Sequence, residues 1–273
     1  MMLPGSSGRA AIDTSVAHPA RRYNYWLGGK DNFAADRESG DRIAEVYPQI
    51  VKDVEENRVF LGKSVRWLAQ EAGIRQFLDI GTGMPSAGNT HEVAQAIAPE
   101  ARVVYVDNDP LVMVHARALL TSTPQGRTAY IQADLREPES ILKHPDLAAT
   151  LDMTQPVALM LVAVLHFLTV DSEAYASVRT LIAALPAGSF VVISHATTDY
   201  MSPATAKKLK ALDDGFVGRT REQVGRFLDG LELVAPGLTT VDRWRPAPGT
   251  VPAGHQVSVY GGVGRKPLPG VVA

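Results

Sequence analysis

From about residue 77 onward, short runs of β-branched and aliphatic residues alternate with stretches of helical periodicity. That alternation predicts an α/β fold, a parallel sheet with helices on both faces. The strand segments fall at residues 77–80, 103–107, 129–134, 157–164, 190–194, 231–234 and 257–260. In the fourth of them, Val157-Ala158-Leu159-Met160-Leu161-Val162 is apolar at every position, as a central strand must be when neither of its faces meets water. Helical periodicity falls at residues 90–98, 111–120, 172–185, 204–212 and 221–228. The last of these opens with Thr220 followed three residues later by Gln223, a capping box in which each side chain satisfies the other's free backbone donor. Ahead of the sheet, residues 55–70 read as an amphipathic helix with Val59, Val65 and Leu68 among its apolar positions, and residues 41–50 as another. These helices are expected to cover the sheet rather than extend it.

Composition fits that outline. A chain of 273 residues with 45% hydrophobic and 21% charged content holds one sizeable core with accessory segments. The expected organisation is an N-terminal extension and lid over residues 1–60, then a Rossmann-like domain over 61–273 with a helical insertion near 200–230. With 29 acidic and 27 basic residues the net charge is -2, and nothing in that balance signals a nucleic-acid partner. The absence of cysteine excludes disulfides, thiolate metal sites and a cysteine nucleophile. No histidine and carboxylate set has metal-ligand spacing, so no metal is expected. The opening residues lack the basic start and apolar stretch of a secretory signal, and no apolar run is long enough to span a bilayer. The expectation is a cytoplasmic protein with a loose first dozen residues. The sequence carries no indication of oligomeric state.

Three strand ends carry the chemistry. Phe77-Leu78-Asp79-Ile80-Gly81-Thr82-Gly83 is a buried strand that ends in a carboxylate and runs into two glycines, which permit a tight turn and a close approach to bare backbone. A dinucleotide fingerprint would place a third glycine at position 86, where this chain has Ser86, after Pro85. That weakens a pyrophosphate reading and favours an amino-acid ligand whose ammonium Asp79 would receive. The second strand ends in Val106-Asp107-Asn108-Asp109-Pro110, placing Asp107 where a carboxylate takes ribose hydroxyls. The third runs into Ala133-Asp134-Leu135-Arg136; Asp134 either reaches an adenine amino group, with Leu135 packing on the ring, or caps the following helix.

These features, with several others, resemble a bacterial family of S-adenosylmethionine-dependent methyltransferase-like proteins, the S-adenosyl methyltransferases once described as a domain of unknown function. The resemblance includes Ala20-Arg21-Arg22-Tyr23-Asn24-Tyr25-Trp26-Leu27-Gly28-Gly29-Lys30-Asp31-Asn32-Phe33, Glu56-Asn57-Arg58-Val59-Phe60-Leu61 and the segment from Gln76 to Gly83. It extends through Asn89-Thr90-His91-Glu92-Val93-Ala94, Val104 to Pro110 and Tyr260-Gly261-Gly262-Val263-Gly264-Arg265. Two departures stand out: Asn24 where relatives carry an aspartate, and Gly62-Lys63 where they prefer an arginine. The resemblance implies a class I methyltransferase fold, with a seven-stranded sheet whose last strand is antiparallel and S-adenosylmethionine lying across the carboxyl edges of the first strands. S-adenosylhomocysteine would be the product. It supplies no substrate.

The expected cofactor set is then Asp79, Gly81, Thr82, Gly83, Asp107, Asn108, Asp134, Leu135, Ala163, His166 and Arg58, the last reading either as a solvated helix charge or as the cation meeting the cofactor's carboxylate. His166 and His195 follow the fourth and fifth strands; each is either a hydrogen-bonded core histidine or a general base. His91 is expected to orient the glycine loop, and His18, His115, His144 and His255 look ordinary. Tyr23, Tyr25, Asn32 and Phe33 are either packing for the N-terminal segment or a lid over a ligand. The leading function is methyl transfer to a small-molecule acceptor. A non-catalytic binder of S-adenosylmethionine or S-adenosylhomocysteine is the alternative, followed by an NAD-dependent oxidoreductase.

Overall fold

The computed structural model of the chain describes residues 13–212, 215–246 and 257–270, and each strand segment expected from the hydrophobic pattern contains a strand. The first dozen residues and His255 lie outside the described residues. In chain order the elements are α1 (Pro19–Trp26), α2 (Ala34–Val46), α3 (Ile50–Gln70), β1 (Gln76–Ile80), α4 (Thr90–Gln95), β2 (Arg102–Asp107), α5 (Pro110–Leu119) and β3 (Arg127–Gln132). There follow α6 (Pro138–Leu142), α7 (Pro145–Thr150), β4 (Ala158–Val162), α8 (Asp171–Ala184), β5 (Phe190–Ala196), α9 (Pro203–Ala211), α10 (Arg221–Gly225), β6 (Glu232–Leu233), β7 (Thr239–Thr240) and β8 (Val259–Arg265).

The sheet order is β3-β2-β1-β4-β5-β8-β6, with β7 also pairing β8. Strands β1 to β5 pair in parallel, and β8 is antiparallel to β5. The sheet therefore has eight strands among the described residues rather than seven. The addition is β7, a two-residue strand that forms where the chain, turned by Pro236-Gly237, returns to β8. Two residues are too few for a period-2 pattern to register.

Because side chains alternate across a strand, each central strand feeds two cores. Leu78, Val104, Val106, Leu159, Leu161, Val191 and Ile193 point to one, packed by Val178 and Leu181 of α8 and by Phe227. Phe77, Val103, Tyr105, Met160 and Val192 point to the other, against Phe60, Val65 and Leu68 of α3. At about 1.5–3 kcal/mol for each large side chain removed from water, these layers supply the main drive for folding.

Two expectations about the N-terminal part are corrected. Helix α3 runs unbroken through residues 60 and 61, where the extension was expected to meet the domain, and Phe60 and Leu61 are both buried. Val59, placed on the apolar side of that helix, is 48% exposed. The expected helix at 41–50 is instead α2, ending at Val46. The extension packs α1 on α2 and α3 and brings α2 against α9 of the insertion after β5, roofing the carboxyl edge of the sheet. No helix among the described residues is long and apolar enough to cross a membrane.

Candidate functional site

The sheet grows from β1 to β2 and β3 in one direction and to β4 and β5 in the other, so the strand order reverses between β1 and β4. In open α/β sheets the crevice outside the carboxyl ends at such a reversal is where ligands bind. Both lips of it have unusual backbone. Gly81, just after β1, has φ +77°, donates its N–H to Val106 O at 2.8 Å, and leaves no room for a Cβ, which would overlap the Val164 side chain. Across the crevice Ala163 has φ +55°, a region that costs a non-glycine residue about 1–2 kcal/mol. Ser194 of β5 holds it there, its Oγ accepting the Ala163 N–H at 2.9 Å. Gly83 also has positive φ, yet nothing lies within 4 Å of where its Cβ would stand. Its backbone is bare on that side.

Around this turn stand the carboxylates. Asp79 is 6% exposed; Oδ2 accepts from Thr90 Oγ1 at 2.6 Å and Oδ1 has no hydrogen-bond partner among the described residues. Burial pushes its pKa up to about 6, against the opposing pull of the Thr90 hydrogen bond and of the Arg58 charge. Asp107, equally buried, accepts the Gly83 N–H on Oδ2 at 2.8 Å and the Asp109 N–H on Oδ1 at 3.0 Å. Burial raises its pKa as well. Thr82 Oγ1 lies 3.1 Å from Asp79 O and 3.3 Å from Val106 O, tying the turn to both strands. Arg58 donates through Nη2 to Ser86 O, Ala87 O and Asn89 Oδ1, clamping the loop that follows the glycines. His91 pairs with the Tyr105 hydroxyl beneath that loop.

The third strand end is built differently. Asp134 is held by Arg136, which donates Nε at 2.9 Å and Nη2 at 2.6 Å, while Asn108 Nδ2 stands 3.5 Å away. That pair lowers the Asp134 pKa. Leu135 beside it is 5% exposed and packs with Ile131 and Ile141.

The aromatic cluster of the N-terminal segment is held by contacts within the chain. The Tyr23 hydroxyl donates to Val54 O and accepts from Asn57, Tyr25 donates to Asp41, and the Phe33 ring lies under the Arg21 guanidinium. Asn32 donates to Asn24 Oδ1 and Gly29 O, and Asn24 Oδ1 also accepts the Asp31 N–H, so the Gly28 to Asn32 turn closes on Asn24. The residues that reach the strand ends are others. His18 Nδ1 lies 3.2 Å from Asp109 Oδ2, and Ala20 packs on Met84, Val112 and Met113.

The two histidines part company. His195 is fully buried: Nε2 accepts from Arg219 Nη1 at 2.8 Å, which fixes the proton on Nδ1, and Nδ1–H donates to Ala196 O at 2.7 Å. Burial, aided by the Arg219 charge, pushes its pKa down to about 3. With no lone pair left to take a proton, His195 is excluded as a base. His166, on the one-turn 3-10 helix Leu165–Phe167, is 8% exposed and its Nδ1 is buried without a partner among the described residues. Burial, with His195 and Arg219 nearby, holds its pKa well below 6.5. Its ring packs against Phe167 and Phe216. Arg219, which the sequence reading passed over, donates to Leu165 O, Leu168 O and Asp171 and so fixes the turn that carries His166.

Among known proteins, this chain is 45% identical to a DUF574 family protein from Streptomyces avermitilis MA-4680, whose crystal structure superposes with a TM-score of 0.89 and covers 94% of this chain and 100% of that one. A candidate methyltransferase from Thermobifida fusca YX is 40% identical, with a TM-score of 0.84 and coverage of 94% and 97%. The plantazolicin methyltransferase BpumL, solved with S-adenosylhomocysteine, is 12% identical over 90% of this chain and 95% of its own, with a TM-score of 0.51. That last likeness is one of fold, the class I methyltransferase architecture. No curated protein matches the chain. The sequence model of the S-adenosyl methyltransferases matches residues 6–267. The chain belongs to that S-adenosyl methyltransferase family, whose name specifies its cofactor, S-adenosylmethionine.

Proposed function

We propose that the protein transfers a methyl group from S-adenosylmethionine to a small-molecule acceptor. The observation that carries this reading is the pair of buried carboxylates, Asp79 and Asp107, at the ends of adjacent parallel strands around one glycine turn. Bound cofactor supplies a methyl group made electrophilic by a positively charged sulfur. Displacement at such a carbon is in line, so the residues act chiefly by holding, aligning and drying the reactants.

The residues fit that ligand. A buried carboxylate with a raised pKa and one unpartnered oxygen is stabilised by a cation, and Asp79 would take the ammonium of the methionine moiety. Each Asp107 oxygen accepts a single backbone N–H and keeps lone-pair capacity for ribose hydroxyls. Gly83 allows close approach to bare backbone. Asp134 and Asn108 would hold the adenine amino group at the cost of the exposed Arg136 pair, worth under about 1 kcal/mol. Arg58, whose Nε and Nη1 have no partner among the described residues, would face the cofactor's carboxylate.

His166 is the base in this reading. Its Nδ1 has no partner among the described residues, and this is the ring nitrogen that would take a proton from an acceptor that arrives protonated. Phe216 packs on the His166 ring, and an apolar wall of this kind favours a small, partly apolar acceptor. Two measurements test the proposal. Calorimetry should give binding of S-adenosylmethionine and S-adenosylhomocysteine but not NAD. Methyl-labelled S-adenosylmethionine should then pass its label to a product in the low-molecular-weight fraction of a cell extract. Binding with no transfer in any fraction would sink the catalytic claim and leave a binder.

A further inference from the structure

A cleft of about 860 Å³ opens at the opposite end of the strands, beside the beginnings of β1, β2 and β5 and the end of antiparallel β8. Strand β1 alone, five residues long, separates it from the glycine turn by roughly 16 Å at 3.3 Å per residue. Its apolar wall includes Trp67, Phe190, Val234 and Leu268, with Trp67 set edge-on to Phe190 at a centroid distance of 5.6 Å.

The charged groups of the cleft divide into satisfied and unsatisfied. Arg75 is engaged by Glu100 at 2.8 Å and by the carbonyls of Ala69 and Ile74, and it neutralises Glu100 in return. Asp152 Oδ1 accepts from Thr154 N and Oγ1, and the backbone of Asp152 occupies both ends of the Gln76 amide. Arg102 makes one long bond, to Thr150 O at 3.3 Å. Arg265 makes none among the described residues, and its Nε is buried without a partner. Glu232, its neighbour across the β6–β8 ladder, is exposed and forms no ion pair with it. Arg102 stands in the field of the Asp152 carboxylate, so the charged group left to meet a ligand is Arg265, and it sits beside apolar side chains. A partly buried guanidinium without a partner loses hydration that a planar, two-oxygen anion restores.

We propose that the protein has a second binding site, in this amino-edge cleft, for a small carboxylate with an apolar tail. Arg265 pairs with the carboxylate, and the Trp67 and Phe190 wall takes the tail. The site stands apart from the methyl-transfer reading and does not depend on it.

The test is calorimetric titration of the full chain with octanoate and, separately, octylamine, each with and without saturating S-adenosylhomocysteine, while tryptophan fluorescence, compared with that of Trp67→Phe, reports on the cleft. The expected result is one-site octanoate binding that perturbs fluorescence, is indifferent to S-adenosylhomocysteine and is not matched by octylamine. Arg265→Met, with an unchanged circular dichroism spectrum, should weaken octanoate at least tenfold. Absence of saturable binding at millimolar octanoate overturns the proposal. So does equal binding of octylamine, which needs no variant to fold, or displacement by S-adenosylhomocysteine, which would put the ligand at the other edge.

Discussion

Gly83 donates its backbone N–H to Asp107 Oδ2 at 2.8 Å, so the turn after β1 and the end of β2 are one hydrogen-bonded unit. Asp107 is thereby aimed before any ligand arrives. Its other oxygen accepts the Asp109 N–H, so asparagine is a poor substitute: either orientation of the amide sets its NH₂ against a backbone donor. Asp107→Ala and Asp107→Asn should each weaken S-adenosylhomocysteine on the order of a hundredfold, as expected for losing charge-assisted bonds of about 1.5–3 kcal/mol each. Calorimetry reads this directly; unchanged affinity in folded variants removes Asp107 from the site.

The two glycines of the turn should respond differently to alanine. At Gly81 the new Cβ meets Val164 and the backbone is left-handed, so Gly81→Ala combines strain with overlap and should cost about 2–4 kcal/mol in urea unfolding. At Gly83 the space is open and only the left-handed strain applies, about 1 kcal/mol. Gly83→Ala should therefore fold and still lose cofactor affinity, because its methyl occupies the approach to bare backbone. Equal stability losses at the two positions would contradict this.

Asp79 should trade stability for binding. Its pKa rises from 3.8 to about 6 on folding, so between those values the folded state holds a proton that the unfolded chain has released, and stability falls as pH rises through that window. Above pH 6 the buried charge costs about 3 kcal/mol. Asp79→Asn should accordingly stabilise the ligand-free protein at pH 7.5, with the advantage shrinking toward pH 4, and should bind S-adenosylmethionine more weakly. Denaturation of both proteins at the two pH values checks the sign. A variant less stable at pH 7.5 than the parent would mean that Thr90 and Arg58 already compensate the charge.

The strand-end carboxylates and the glycine turn were legible in sequence because each follows directly from where a buried strand stops. The packing of Leu135 against Ile131 and Ile141 was not legible in the same way, because the direction of a side chain beyond a strand end is set by contacts across the fold. The N-terminal motif was recognisable as a unit, yet its purpose was not, since Asn24 closes a turn on residues up to eight positions away while His18 reaches Asp109 across the fold. Short-range patterns show periodicity and turn chemistry. They do not show which of two histidines at neighbouring strand ends meets a buried arginine.

That arginine decides the roles of the histidines. Arg219 is fully buried and donates to Leu165 O, Leu168 O, Asp171 and His195 Nε2. Arg219→Met would strand two carbonyls and a ring nitrogen in the interior, a loss of about 3–5 kcal/mol. The histidines should also mark the acid limb of stability. His195, whose pKa falls from 6.5 to about 3 on folding, contributes stability that is complete above pH 6.5 and declines as pH falls toward 3, because the unfolded chain takes the proton first. His166 has the same direction of shift. His166→Gln should flatten the loss of stability below pH 6.5 and retain S-adenosylhomocysteine binding within about threefold, since it removes a titrating ring and none of the carboxylates that face the cofactor. Urea unfolding at pH 5 and 7.5, with calorimetry alongside, separates these effects; if His166→Gln abolishes binding instead, His166 is a principal cofactor contact and its place as the base must be given up.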